Sequence, residues 1–190
     1  MDVRTFGVIG AGQMGSGIAQ VAATCGLGVI LNDIKQEFVD RGKAGIAANL
    51  QRSVDKGKLA AEDREKILGR IQTSIDVKDM AVADMVVEAA SENEAIKFKL
   101  FQMLDEICGP QVILASNTSS IPIGRIAAHT RRPDKVIGMH FMNPVPVMQL
   151  VEVICGLATS EETLTTTWEL AKKMGKTPAR SNDFPGFIAN

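Results

Sequence analysis

The sequence predicts an α/β domain built on a doubly wound, mostly parallel sheet, and three observations predict it. Short apolar runs alternate with longer helical stretches along the chain, the pattern of strands joined by crossover helices. A glycine-rich turn, Gly10 to Gly15, sits between the first apolar run and the first helical stretch, where a doubly wound sheet places its ligand-binding turn. The 190 residues are 45% hydrophobic and 23% charged, enough for one well-buried globular domain and unlike a disordered segment.

The first strand is read at residues 6–9, followed by the glycine turn and a helix over 14–25 that Gly26 stops. A second strand covers 28–32 and ends at Asp33. A long polar helix over 36–56 is broken by Gly57 and followed by a shorter one over 61–68; together they form an inserted helical hairpin that a minimal βαβ unit does not need. Strands follow at 71–74 and 85–89, the second apolar throughout, as expected when both sheet faces are covered. Residues 94–107 form a helix that Gly109 and Pro110 end, and 112–115 a strand. Ser120 reads as the N-cap of a helix to residue 128, with Pro122 in its first turn. Strands at 136–140 and 150–155 are separated by a turn rich in proline and asparagine, and Ser160 opens a last helix that ends near Gly175.

Charge and cysteine content narrow the function classes. Twenty-one Lys and Arg against 22 Asp and Glu give a net charge of −1, with no basic stripe or acidic tail to suggest nucleic acid or a membrane as partner. No apolar run is long enough to cross a bilayer, and residues 1–4 run straight into a strand without a secretory signal. Cys25, Cys108 and Cys155 have no paired spacing and are expected to be reduced thiols of a cytoplasmic protein. With only His129 and His140 as histidines, no metal motif is present.

Gly10-Ala11-Gly12-Gln13-Met14-Gly15 fits G-x-G-x-x-G in the context that gives the pattern meaning, after a strand and opening a helix. Gly10 permits the tight turn, Gly12 lets main-chain N–H groups reach a pyrophosphate, and Gly15 lets helix and strand pack closely. The positive end of the helix dipole favours the same anion. Asp33, at the end of the second strand, can accept hydrogen bonds from an adenosine ribose and repels a 2′-phosphate. The turn residues, Gln13 and Met14 included, are therefore candidates for binding NAD rather than NADP. Lys35 keeps NADP open, because a nearby cation can offset the extra phosphate.

The fingerprint accounts for a cofactor but not for a reaction. Reactive groups lie at the ends of later strands: Ser116 to Ser120, His140 to Pro146, and Glu152 within the run from Leu150 to Ile154. Each also has a bland reading. His140 could simply cap a strand, Ser119 could cap a helix, Lys97 could be a solvated lysine, and Glu88 could be structural.

These segments resemble the 3-hydroxyacyl-CoA dehydrogenase family, most closely its short-chain 3-hydroxybutyryl-CoA type. The resemblance is carried by Val86 to Ala90 with Glu92-Asn93, by Ser116 to Ser120, His140 to Pro146, Val151-Glu152-Val153 and Pro185 to Asn190. The hairpin after Asp33 is similar to the family's helical tail. The resemblance implies that His140 exchanges the proton of the substrate 3-hydroxyl and that Glu152 orients its imidazole. It implies that Ser119 and Asn190 bond the reacting oxygen, and that Asn143 sits by the nicotinamide and the catalytic pair. Glu92, Lys97, Asn117, Ser119 and Asn143 match positions near the nicotinamide side of the cofactor. Lys56 and Lys58 match the hairpin region that meets CoA phosphates. The implied reaction is hydride exchange between an (S)-3-hydroxyacyl-CoA and NAD, giving a 3-ketoacyl-CoA.

The resemblance also implies a further helical domain that makes a homodimer contact and closes over the acyl-CoA. That domain is expected to be absent from residues 1–190, leaving the isolated domain weakly active or inactive. The alternative, a dinucleotide-binding structural relative without turnover, is disfavoured because His140 and Glu152 are both present.

Overall fold

Successive side chains of a strand point to opposite faces, and here both faces are dry. Val87 joins Phe6, Val8 and Ala115 in one core, while its neighbour Val86 joins Leu114 and Phe101 in another. That is why these runs read as continuously apolar. The computed structural model describes residues 2–184 and Phe187.

The elements run β1 (Thr5–Ile9), α1 (Gln13–Thr24), β2 (Gly28–Asn32), the helical hairpin α2 (Gln36–Asp55) and α3 (Ala61–Gly69), and β3 (Ile71–Ser74). A 3₁₀ segment (Val77–Val82) leads to β4 (Met85–Glu88), α4 (Glu94–Ile107), β5 (Ile113–Ser116) and α5 (Ile123–Ala127). A 3₁₀ turn (Pro133–Lys135) then precedes β6 (Val136–Phe141), β7 (Leu150–Cys155), α6 (Glu161–Lys173) and β8 (Thr177–Asn182). The strands form one eight-stranded sheet in the order β3-β2-β1-β4-β5-β6-β7-β8. Every neighbouring pair is parallel except β6 and β7, which are antiparallel with His140 opposite Glu152. The Rossmann-like, doubly wound fold and its inserted hairpin are as predicted.

Residues of α1, α2, α3 and α6 cover one face, and α4 and α5 cover the other. Strand order reverses at β1, which has β2 on one side and β4 on the other. Such a reversal opens a crevice beyond the strand ends. The ends of β1, β2, β4, β5 and β6 and the start of β7 all lie on that edge.

The structure corrects one expectation and adds two elements that the sequence reading did not contain. Ser120 does not cap a helix, because α5 starts only at Ile123, with Pro122 as its cap. Its first N–H groups are taken by a distant carboxylate: Asp183 accepts from Ile123 N at 2.6 Å and Gly124 N at 2.7 Å. The segment after α6 is a strand, although its sequence Thr-Pro-Ala-Arg-Ser-Asn has no apolar alternation; pairing with β7 overrides its weak propensity. The 3₁₀ segment before β4 was not anticipated, and it begins where the Asp76 carboxylate accepts from Lys78 N.

Candidate active site

The glycine turn is built from main-chain atoms. Gly10 has a φ of +98°, a conformation that side chains disfavour, and its N–H donates to the Asn32 carbonyl at 2.8 Å. A Cβ on Gly15 would lie 1.7 Å from the Gly10 carbonyl oxygen, whereas one on Gly12 would meet nothing within 4 Å. The turn is therefore closed beneath Gly15 and open above Gly12. Asp33 accepts from Ala11 N and from Ile34 N, each at 2.7 Å, which locks the turn to the end of β2. Beside it lies a cavity of about 680 Å³ lined by Gly10, Gly12, Asp33, Ile34, Ala90 and Ile96, among others. An open glycine cradle, an acid at the rim and apolar walls suit a dinucleotide. Met14 packs half-buried against the core, and Gln13 donates from its amide to Asn143 Oδ1 at 3.1 Å.

The second half is built from side chains. His140 is 5% exposed and Glu152 fully buried. Their antiparallel register brings Nδ1 of His140 to 2.8 Å from Oε2 of Glu152, and Nε2 lies 3.1 Å from the Ser119 hydroxyl. An ionised carboxylate only accepts, so in the neutral imidazole Nδ1 carries the proton and Nε2 presents its lone pair to Ser119. Ser119 itself is exposed, so the relay opens outward. The Phe187 ring lies tilted 5.9 Å from the imidazole. Asn117 Oδ1 accepts from Phe141 N at 2.9 Å and ties the end of β5 to β6.

A carboxylate organises the loop that presents Ser119. Glu92 Oε1 accepts from the Thr118 hydroxyl at 2.5 Å, Ser119 N at 2.9 Å, Ser120 N at 3.2 Å and the Ser120 hydroxyl at 3.1 Å. Burial alone would raise its pKa, but the Thr118 hydroxyl, the Lys97 ammonium, and the N–H of Ser119 and hydroxyl of Ser120 together hold it below the ordinary 4.5. Lys97 is not a surface lysine. It is 1% exposed, and its Nζ bonds Glu88 at 2.7 and 2.9 Å and reaches Glu92 at 3.3 Å. Glu88 is fully buried and also accepts from Ser116 Oγ at 2.8 Å and Ala90 N at 2.7 Å.

The structure thus brings together His140, Glu152, Ser119, Glu92 and Asn117 at the crevice edge of β4 to β7, with Lys97 reaching in from α4, and joins them to the glycine turn through Gln13 and Asn143. Lys56 and Lys58 are exposed where α2 meets α3, and Lys35 Nζ lies 5.6 Å from the centre of the Phe38 ring. Asn190 falls outside the described residues. Sequence reasoning missed Thr118 and the burial of Lys97 against Glu88. Neither has a local signal, since the partners meet only through the sheet. Among the described residues, no cluster of His, Cys, Asp and Glu could hold a metal ion, and no helix is long and apolar enough to cross a membrane.

The sequence profile of the NAD binding domain of 3-hydroxyacyl-CoA dehydrogenase matches residues 5–184. A probable 3-hydroxybutyryl-CoA dehydrogenase of Deinococcus radiodurans is 57% identical over 185 residues, covering 97% of this chain and 66% of that protein. Its counterpart in Bacillus subtilis is 52% identical over 190 residues, covering 100% and 66%. The crystal structure of (S)-3-hydroxybutyryl-CoA dehydrogenase from Ralstonia eutropha superposes with a TM-score of 0.98 at 47% identity, covering 100% of this chain and 67% of that one. The chain therefore spans about two thirds of the length of these relatives. It belongs to the 3-hydroxyacyl-CoA dehydrogenase family, and residues 5–184 are that family's NAD binding domain.

Proposed function

We propose that this domain supplies the cofactor site and the acid–base pair of an NAD-dependent (S)-3-hydroxyacyl-CoA dehydrogenase acting on 3-hydroxybutyryl-CoA. The observation that carries the reading is the continuous relay Glu152–His140–Ser119 at the edge of the dinucleotide crevice, with spacings of 2.8 and 3.1 Å. Held by the glycine turn, NAD would supply the hydride acceptor for oxidation and NADH the hydride donor for reduction. His140 Nε2 takes the proton from the substrate hydroxyl in one direction and donates it in the other. Glu152 keeps the imidazole in the tautomer that faces outward and stabilises the imidazolium. The Ser119 hydroxyl, held in place through Glu92, bonds the reacting oxygen, and Asn190 is assigned to its other side. Asn143 and Asn117 would border the nicotinamide. Lys97 acts by orienting Glu92.

Gly10, Gly12, Gly15, Gln13 and Met14 would frame the pyrophosphate, and Asp33 the adenosine ribose. The Asp33 carboxylate favours NAD over NADP, and exposed Lys35, whose Nζ lies 5.6 Å from the centre of the Phe38 ring, is the cation that would have to offset a 2′-phosphate. Lys56 and Lys58 are assigned to the CoA phosphates. Homodimer contacts and closure over the acyl chain are assigned to a helical domain within the third of such proteins that this chain does not span. The free thiols of Cys25, Cys108 and Cys155 fit a reducing, cytoplasmic setting.

The test is reduction of acetoacetyl-CoA by the full-length protein that carries this domain, followed through consumption of NADH. Turnover that is lost in His140→Gln is the expected result, and turnover that survives that change would refute the assignment. Cofactor choice is read by thermal shift: a ligand at about 100 times its Kd adds roughly 2.7 kcal/mol. NADH should give the larger shift, and a larger shift with NADPH would overturn the role given to Asp33.

A further inference from the structure

The β6–β7 turn, residues 142–149, joins the strand of His140 to the strand of Glu152 and carries Asn143. One side leans on α1: Val145 is buried, and a Cβ on Gly17 would lie 2.8 Å from its Cβ. On the same side Gln13 bonds Asn143 at 3.1 Å. The turn is closed within itself by the Pro144 carbonyl, which accepts from Val147 N and Met148 N at 3.0 Å each.

Its other side is held by an ammonium. Gly175, with φ of +72°, ends α6 and turns the chain, and the next residue, Lys176, is only 8% exposed. Its Nζ donates to the Val145 carbonyl and, at 2.8 Å, to the Met148 carbonyl. Thr177 N then donates to the Gln149 carbonyl at 2.8 Å and begins β8. Burial holds the Lys176 pKa below its usual 10.5. A buried ammonium bonded to neutral carbonyls is costly to place. Both of its partners belong to the one turn that spans the catalytic pair.

We propose that Lys176 is a positioning residue: its ammonium clamps the carbonyls of the β6–β7 turn and thereby fixes Asn143 against Gln13 beside the His140–Glu152 pair. The inference rests on the reading of this crevice as the dehydrogenase site. Lys176 touches none of the groups assigned to substrate or cofactor, so it acts through the turn.

The experiment, in the full-length protein that carries this domain, compares the wild type with Lys176→Met, Asn143→Ala and the double variant. Three quantities are read: kcat for acetoacetyl-CoA reduction, NADH affinity by fluorescence titration, and hydrogen exchange of the Val147 and Met148 amides without cofactor. Lys176→Met should speed exchange at both amides and lower kcat or NADH affinity by about tenfold. Little of that loss should remain when Asn143 is already alanine, because residues acting through one contact are not additive. Unchanged exchange, or losses that simply multiply in the double variant, would overturn the proposal. If Lys176→Met does not fold, Lys176→Arg goes through the same cycle. It keeps the cation in a cleft shaped for lysine, and the same outcomes decide. Full-length wild-type protein without turnover, in which Lys176→Met still speeds exchange and weakens NADH binding through Asn143, sinks the dehydrogenase reading and leaves the clamp standing. Active wild type with an indifferent Lys176 does the reverse.

Discussion

The two halves of this crevice are made of different material. Around β1 and β2 the floor of the crevice is main chain: Gly10, Ala11 and Gly12 contribute backbone, and Asp33 at the end of β2 bonds two backbone N–H groups. Around β5, β6 and β7 it is side chain: an imidazole, two carboxylates and hydroxyls, each oriented by another side chain. A site made of backbone is sensitive to added bulk. A site made of side chains is sensitive to the loss of single atoms. The two can therefore be broken separately.

The largest effect is expected from His140→Gln, which should lower kcat by about 10²–10⁴-fold while NADH affinity is retained. Steady-state kinetics beside an NADH titration checks it, and a parallel loss of affinity would show that the halves are not separable. Gly15→Val should do the opposite. Its Cβ would sit 1.7 Å from the Gly10 carbonyl, so NADH binding should fail and stability drop by about 1–3 kcal/mol, read by urea unfolding.

The smallest effect sharpens the contrast through pH. Glu92 has a depressed pKa, so its contribution to stability is complete above the ordinary 4.5 and fades as pH falls through the lower folded value. Below pH 4.5 the melting temperature of the wild type should fall more steeply than that of Glu92→Gln. Parallel slopes would detach Glu92 from the loop it organises.

The same contrast explains what could be read from the sequence. The glycine turn, the strands around it and the acid at the end of β2 are local, and spacing alone located them. His140 and Glu152 were located by their motifs, although only the antiparallel register shows them facing each other. Asp183 caps α5 from 60 residues away, and Glu92 gathers Thr118 and Ser120 across 26 and 28 residues. No window along the chain contains both members of either pair. Lys97 and Lys99 look alike in sequence, but only Lys97 lies inward against Glu88, and only the packed sheet distinguishes them. Polar strand β8 was invisible for a related reason: its structure comes from its neighbour.

That last strand also forms one rim of the sheet. An unpaired strand flank is a template on which other polypeptides can polymerise. Here it carries Pro178, which lacks a donor, and Arg180, whose charge resists stacking. The feature that hid β8 from prediction is thus a safeguard: a rim too polar to look like a strand is also a poor seed for fibrils.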